Sequence, residues 1–286
     1  MIQCQKQQLV LDSLASVMVY NMIGQNKLSK RFSEFSLVSL PHSVLLVGDS
    51  GCGKHTLVKE LAENLSVDVI DISNSISLET LDEMVIRPIP TFYIIDSSVI
   101  TERHQNIILK TLEEPSEYVY LFILTTAKTT LLNTVLNRCV IFEFEPYTRD
   151  VLKTFLQDDD EHILDVCTTP GQVLSVHAKD LVELEKLCKT IITRIGNANY
   201  SNTLSIVKKI NLKDEYDKFD INIFFNTLLN TLFDLLKTSY DKLYADMYNL
   251  VMTYKKKLRD SRINKELLLE NFLTDLWEFV RWLIQR

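Results

Sequence analysis

Between residues 48 and 56 the chain reads Gly48-Asp49-Ser50-Gly51-Cys52-Gly53-Lys54-His55-Thr56, so that three of its six glycines fall within six consecutive positions. Glycines at this density let successive backbone N–H groups turn inward toward one anion. A lysine at the start of a helix adds a full positive charge to the partial charge of the helix N-terminus. The spacing matches GxxxxGK[ST], a phosphate-binding loop, except at its last position. There His55 stands where a hydroxyl would ligate magnesium. Thr56 follows, but one step along a helix is about 100° of rotation, which turns its hydroxyl toward the α-phosphate side rather than the metal. The expectation is ATP or ADP held by Gly48 to Thr56, with magnesium bound weakly or not at all.

A second chemical position closes the run Thr91-Phe92-Tyr93-Ile94-Ile95-Asp96. A carboxylate at the end of a strand neighbouring a phosphate loop holds magnesium, and the residue after it often activates water. Asp96 supplies the carboxylate. Ser97 follows, and a serine hydroxyl has no proton affinity with which to act as general base. Glu102 and Glu113 are the nearest substitutes, at positions that read as surface or packing.

The elements that must hold these residues are legible in the pattern of apolar runs. Ser43–Val47, Val67–Ile72, Thr91–Ile95, Tyr120–Leu124 and Val140–Phe144 are short and rich in β-branched or aromatic residues, which reads as strands. Helix-length stretches, Lys54–Leu65 and Thr101–Glu114 among them, lie between. Such alternation predicts a parallel sheet with crossover helices in three layers, an α/β core over residues 1–146. Residues 147–195 read as a small helical segment. All six prolines lie at or before Pro170, and no glycine or proline follows Gly196, so residues 196–286 are predicted all-α. Their clearest stripe is Leu269, Leu273, Leu276, Val280 and Leu283, with Asn264 as N-cap.

Composition excludes several classes. The 286 residues are 46% hydrophobic and 24% charged, ordinary for a globular chain. A net charge of -7 argues against a non-specific polyanion binder, although residues 1–196 hold 17 basic and 26 acidic side chains against 14 and 12 in residues 197–286. The cysteines, Cys4, Cys52, Cys139, Cys167 and Cys188, are scattered without metal-ligand spacing, which predicts reduced thiols, no zinc and a cytoplasmic setting. No apolar run reaches the roughly 18–20 residues of a membrane span, and the N-terminus MIQCQKQQ has no export pattern.

Beyond the phosphate loop the motifs follow a recognisable order. Gln105 to Pro115 (QNIILKTLEEP), then YLFILTT, then Leu131 to Cys139 (LLNTVLNRC) resemble the AAA+ subunits of DNA polymerase clamp loaders, of the delta-prime or replication factor C small-subunit type. Ile23-Gly24-Gln25 is similar to that family's IGQ box, Leu40-Pro41-His42 precedes the loop strand, and FEFEPYTRDVLKTF, ending at Phe155, resembles its passage from core to lid. The resemblance covers roughly residues 20–175. It implies an AAA+ core, a helical lid (147–195) and a helical collar (196–286) that assembles subunits into a hetero-oligomeric, pentameric ring. It also implies ATP-driven placement of a sliding clamp on primer-template DNA, in the cytoplasm of a bacterium or of a phage-infected host.

Residue by residue, the resemblance makes Asp96 the Walker B acid, Thr125 or Thr126 sensor 1, and Arg138 an arginine finger for nucleotide on the neighbouring subunit. Taken alone, Arg138 reads as a cation closing a helix. Asn137 replaces the serine of the SRC motif. Thr169-Pro170-Gly171-Gln172-Val173 resembles the start of the sensor 2 helix but lacks its arginine. With His55 and Ser97, three features of hydrolysis are degraded together, which is similar to delta-prime subunits that hold a place in the ring and supply the finger without turning over ATP; the expectation for this chain is weak ATPase, or ATPase only within the complex. A hydrolysing small subunit and a non-hydrolysing partner-binding module are the alternatives. Trp277 and Trp282 are candidates for an intersubunit anchor or for ordinary core. Arg103 and Lys110, and the run Lys255, Lys256, Lys257, Arg259, Arg262 and Lys265, are candidates for DNA phosphate or for a solvated face.

Overall fold

The computed structural model describes residues 22–74, 76, 87–157, 160–195, 220–260 and 262–284; Cys4, Gly196, residues 197–219 and the side chain of Leu283 lie outside them. The chain divides into two compact units, Met1–Pro146 and Tyr147–Arg286.

In the first unit the elements run α1 (Asn26–Ser33), β1 (Ser43–Val47), α2 (Lys54–Leu65), β2 (Asp68–Asp71), β3 (Thr91–Asp96), α3 (Glu102–Glu113), β4 (Val119–Thr125), α4 (Asn133–Leu136) and β5 (Val140–Glu143), with one 3₁₀ turn at Lys128–Thr130. The five strands form one parallel sheet in the order β2-β3-β4-β1-β5. The inner strands are continuous apolar runs because helices cover both faces, and alternate residues divide between the two cores. Val44, Leu46, Phe92, Ile94, Phe122 and Leu124 meet Phe32 of α1 and Leu57 and Leu61 of α2. Leu45, Tyr93, Ile95, Leu121 and Ile123 meet Ile108 and Leu112 of α3 and Val135 of α4.

The edge strand β2 is only half-buried, and the observed strand is one residue shorter at each end than the apolar run suggests. Helix α3 is capped by Thr101, whose Oγ1 accepts the His104 N–H at 3.3 Å. The two terminal residues of the expected stretch, Thr101 and Glu114, are its caps.

The second unit is all-helical among the described residues: α5 (Arg149–Lys153), α6 (Ile163–Val166), α7 (Pro170–Ser175), α8 (Ala178–Arg194), α9 (Ile221–Ser239), α10 (Lys242–Lys257) and α11 (Lys265–Ile284). One apolar cluster joins Leu152, Ile163, Leu184 and Cys188 to Phe224, Phe225, Leu228, Phe272 and Leu276, so helices on both sides of residue 196 share a core. Phe272 is at its centre, with ring centroids 5.1 Å from Phe225, 5.4 Å from Tyr254 and 6.4 Å from Phe224. The Tyr254 hydroxyl donates to Asp275; burial and that carboxylate push it up from its ordinary range.

Asn264 caps α11 as expected, its Oδ1 accepting the Leu267 N–H at 3.0 Å. Leu269, Leu273, Leu276 and Val280 are buried below it. Trp277 lies against this core, whereas Trp282 is 50% exposed. Of the basic run, Lys257 sits 4.2 Å over the Tyr254 ring and Arg262 pairs with Asp260 at 2.8 Å. No helix of the described residues is long and apolar enough to cross a membrane.

Truncating the central ring of the second unit, Phe272→Ala, is expected to cost about 3–5 kcal/mol, the usual range for losing a fully packed phenylalanine. Urea denaturation followed by circular dichroism measures it; a loss below about 1 kcal/mol would show that Phe272 is not the packing centre.

Candidate nucleotide-binding site

The loop after β1 has its shape fixed by three glycines. Gly51 and Gly53 have φ of +77° and +99°, in the left-handed region that side chains other than glycine rarely adopt. Gly48 is needed for a different reason: a Cβ there would lie 2.7 Å from Cys52 Sγ and 2.9 Å from Phe144 Cβ. The Gly48 N–H donates to Thr125 O at 3.0 Å, which anchors the loop's first residue on β4. Lys54 opens α2, is buried, and donates from Nζ to the carbonyls of Gly48 (2.6 Å) and Asp49 (3.0 Å). An ammonium group is thus held inside the loop at a helix N-terminus. Cys52 is also buried, which pushes its thiol up against the opposing pull of Lys54. Asp49, Ser50 and Thr56 are exposed.

The magnesium side is different. His55 faces Asp71 at the end of β2, Nδ1 to Oδ2 3.5 Å, and Lys59 reaches the same oxygen at 3.8 Å. Burial alone would raise the Asp71 carboxyl, but the Ser73 amide, His55 and Lys59 together hold it below its ordinary range. Magnesium takes oxygen ligands in near-octahedral order, and an imidazole turned toward a carboxylate does not replace the missing hydroxyl. Asp96 is half-buried at the tip of β3, and its Oδ1 accepts the Ser98 N–H at 2.8 Å. The loop therefore fits a phosphate chain, while of the two expected magnesium ligands only the Asp96 carboxylate is present.

Ser97, where a general base would stand, is fully buried and donates from Oγ to Thr125 Oγ1 at 2.9 Å. Thr125 is itself buried; its hydroxyl meets Thr130 Oγ1 at 3.0 Å, the Ala127 carbonyl at 2.8 Å and the Ala127 N–H at 3.2 Å. These buried hydroxyls of Ser97, Thr125 and Thr130 form one connected group at the ends of β3 and β4. Thr126, the next residue, is half-buried.

Arg138 follows α4 at the surface with its side chain 35% exposed. Its guanidinium donates to the Thr134 carbonyl at 2.8 Å and pairs with Glu113, the last residue of α3, at 2.5 Å. Arg103 and Lys110 are exposed on the same helix α3.

The structure places the loop, Asp96 and the Thr125–Thr126 pair named from the sequence at the ends of β1, β3 and β4. Sequence reasoning missed Thr130 as a member of the hydroxyl group and Glu113 as the partner of Arg138. It also missed the hold of buried Gln105 on the backbone of Thr130 and Leu132. These pairings join residues 5 to 27 positions apart by folding alone, and no local pattern announces them.

Two family matches meet along this unit. Residues 26–87 match the family described as "Rad17 P-loop domain", and residues 89–148 match "DNA polymerase III, delta subunit". DNA polymerase III subunit gamma of Buchnera aphidicola subsp. Acyrthosiphon pisum is 28% identical over 172 residues, 48% of this chain and 48% of that protein. The gamma/tau subunit of Mycoplasma genitalium is 24% identical over 284 residues, 86% of this chain and 42% of that one. Over its first unit the chain is thus similar to clamp-loader subunits of DNA polymerase III.

Among solved structures, a DNA polymerase III gamma subunit-related protein from Thermotoga maritima covers 90% of the chain with 16% identity and a TM-score of 0.48. The chain spans about half the length of the curated relatives it matches. The P-loop domain match over residues 26–87 implies nucleotide binding.

Returning a hydroxyl to position 55 isolates the metal ligand. His55→Thr is expected to tighten ATP binding about tenfold in magnesium, equivalent to about 1.4 kcal/mol, and to leave metal-free binding unchanged. Titration with a fluorescent ATP analogue reads both; equal tightening with and without metal would mean that His55 acts on the phosphates instead.

Proposed function

We propose that this chain is a delta-prime-like member of the loader ring, one that holds ATP or ADP in its own site without turning it over and acts on its neighbour. The observation that carries this reading is Ser97. At the position from which water would be activated stands a hydroxyl that is buried and donated to Thr125. Hydrolysis needs a base with proton affinity within reach of water, and this hydroxyl offers neither. The pairing of His55 with Asp71 supports the same conclusion from the metal side. Sensor 1 is assigned to Thr125 or Thr126; the hydroxyl of the first is engaged by Ser97, Thr130 and both backbone groups of Ala127.

Arg138 is the residue through which such a subunit contributes. A guanidinium delivered in trans stabilises charge on the transferring phosphoryl group and is worth a factor of about 10³–10⁵ in rate. Five N–H donors in a fixed fork suit that task better than a lysine would. With Thr134 and Glu113 holding two of its nitrogens, the remaining donors are available to a neighbour's phosphate. The Glu113 pair is exposed and therefore weak, about 1 kcal/mol or less, so a phosphate can displace it. On this reading residues 147–195 serve as lid and residues 196–286 as collar in a hetero-oligomeric, pentameric ring, in which one neighbour presents its nucleotide to Arg138. The assembled machine places a sliding clamp on primer-template DNA, and Arg103 and Lys110 on α3 are offered for its phosphates.

In a loader reassembled from all its subunits, Arg138→Ala is expected to slow hydrolysis at the adjoining nucleotide by about 10³-fold, measured as clamp- and DNA-stimulated phosphate release. Unchanged release would remove the finger assignment. Ser97→Glu is expected to lower Tm by about 5–10 °C, because a carboxylate replaces a hydroxyl in a sealed space, and to create no ATPase. A stable variant that hydrolyses ATP would show that Ser97 alone keeps an otherwise competent site from turning over.

A further inference from the structure

The two ends of the phosphate loop are each touched by a segment from elsewhere in the chain, and those two segments are tied to one another by one buried side chain. At the first end, Phe144 lies so close to Gly48 that an added Cβ would come within 2.9 Å of it. At the other end, the Met22 methyl group is the nearest neighbour of Gly53, 3.4 Å from where a Cβ would stand. Met22 begins a tight turn in which the Gln25 N–H donates to the Met22 carbonyl at 3.0 Å, with Gly24 at φ +83°. Gln25 is almost fully buried and grips the residue after Phe144 by its backbone. Its Nε2 donates to the Glu145 carbonyl at 2.8 Å, and its Oε1 accepts the Glu145 N–H at 3.0 Å. One amide side chain thus satisfies both backbone groups of a residue 120 positions away.

We propose that Gln25 is a positioning residue that closes this frame around the phosphate loop and couples nucleotide binding to Glu145, where the chain leaves the sheet one residue before the end of the first unit. The coupling rests on the reading that the loop takes a nucleotide. Its physical basis is that Met22 and Phe144 lie beside the two ends of the loop and the Gln25 amide ties their segments together. A buried amide held at both ends resists displacement because each broken bond leaves a polar group without water. Binding free energies are reciprocal: whatever nucleotide adds to the protection of the Glu145 amide, loss of the Gln25 brace must subtract from nucleotide affinity. The neighbouring ion pair, Lys27 Nζ to Glu145 Oε1 at 2.6 Å, is exposed and contributes little to this frame.

The test uses the full chain and metal-free ATP. In the wild type, ATP is expected to slow hydrogen exchange of the Glu145 amide about three- to tenfold, the range of one net hydrogen bond, and to leave the Ile70 amide in edge strand β2 unchanged. Gln25→Glu keeps the acceptor for the Glu145 N–H but removes the donor to its carbonyl. It is expected to weaken ATP by a similar factor and to abolish the response at Glu145, while Lys27→Ala alters neither. Wild-type protein that binds ATP without a change at Glu145 overturns the coupling, and this needs no variant to fold. So does a folded Gln25→Glu protein with undiminished affinity. Failure of the wild type to bind ATP at all would instead overturn the nucleotide reading, and the coupling with it.

Discussion

Strand β1 lies between β4 and β5, and the parallel pairing on both of its sides is the constraint from which the site follows. Because all five strands run the same way, the C-terminal ends of β1, β3 and β4 come to one rim of the sheet. The glycine loop, Asp96 and the Thr125–Thr126 pair all emerge there. The bond from the Gly48 N–H to the Thr125 carbonyl joins the loop to β4 directly. On the other side Phe144, just past β5, donates its N–H to Val47 and packs over Gly48. The loop is therefore set by its neighbours in the sheet as well as by its own glycines.

Within that frame the chain keeps one half of the usual chemistry. Everything that recognises phosphate is in place: the left-handed glycines, the buried ammonium of Lys54 and the start of α2. The groups that would move a proton or complete the metal's ligands are replaced by residues tied into other contacts. His55 faces Asp71, and Ser97 joins a hydroxyl group with Thr125 and Thr130. These replacements are integrated into the packing, so that each substituted side chain has a structural partner of its own. That pattern suits the proposed reading of a site that binds nucleotide without hydrolysing it, with Arg138 at the surface paired with Glu113.

Much of this was legible in the sequence because the inner strands are covered on both faces. Thr91–Ile95 and Tyr120–Leu124 are unbroken apolar runs for that reason, and their type and order follow almost without ambiguity. Edge strand β2 was blurred, since Val67–Ile72 alternates with aspartates that face water. The loop could be read residue by residue because its function depends on local backbone freedom and a fixed spacing. What lay hidden depends on tertiary approach. Nothing near Ser97 in the sequence indicates that its hydroxyl is sealed against Thr125, and nothing near Gln25 points to Glu145. A serine on a solvated loop and a serine beneath a sheet are written with the same letter.

The central claim, a site that holds nucleotide without hydrolysing it, is tested most directly by a single-turnover experiment on the isolated chain. Radiolabelled ATP is mixed with an excess of protein and magnesium, and bound ATP and ADP are separated over time. The account predicts that label recovered with the protein remains ATP through an hour of incubation. Conversion of the bound label to ADP at about 1 s⁻¹ or faster, the lower end of ordinary enzyme rates, would contradict it.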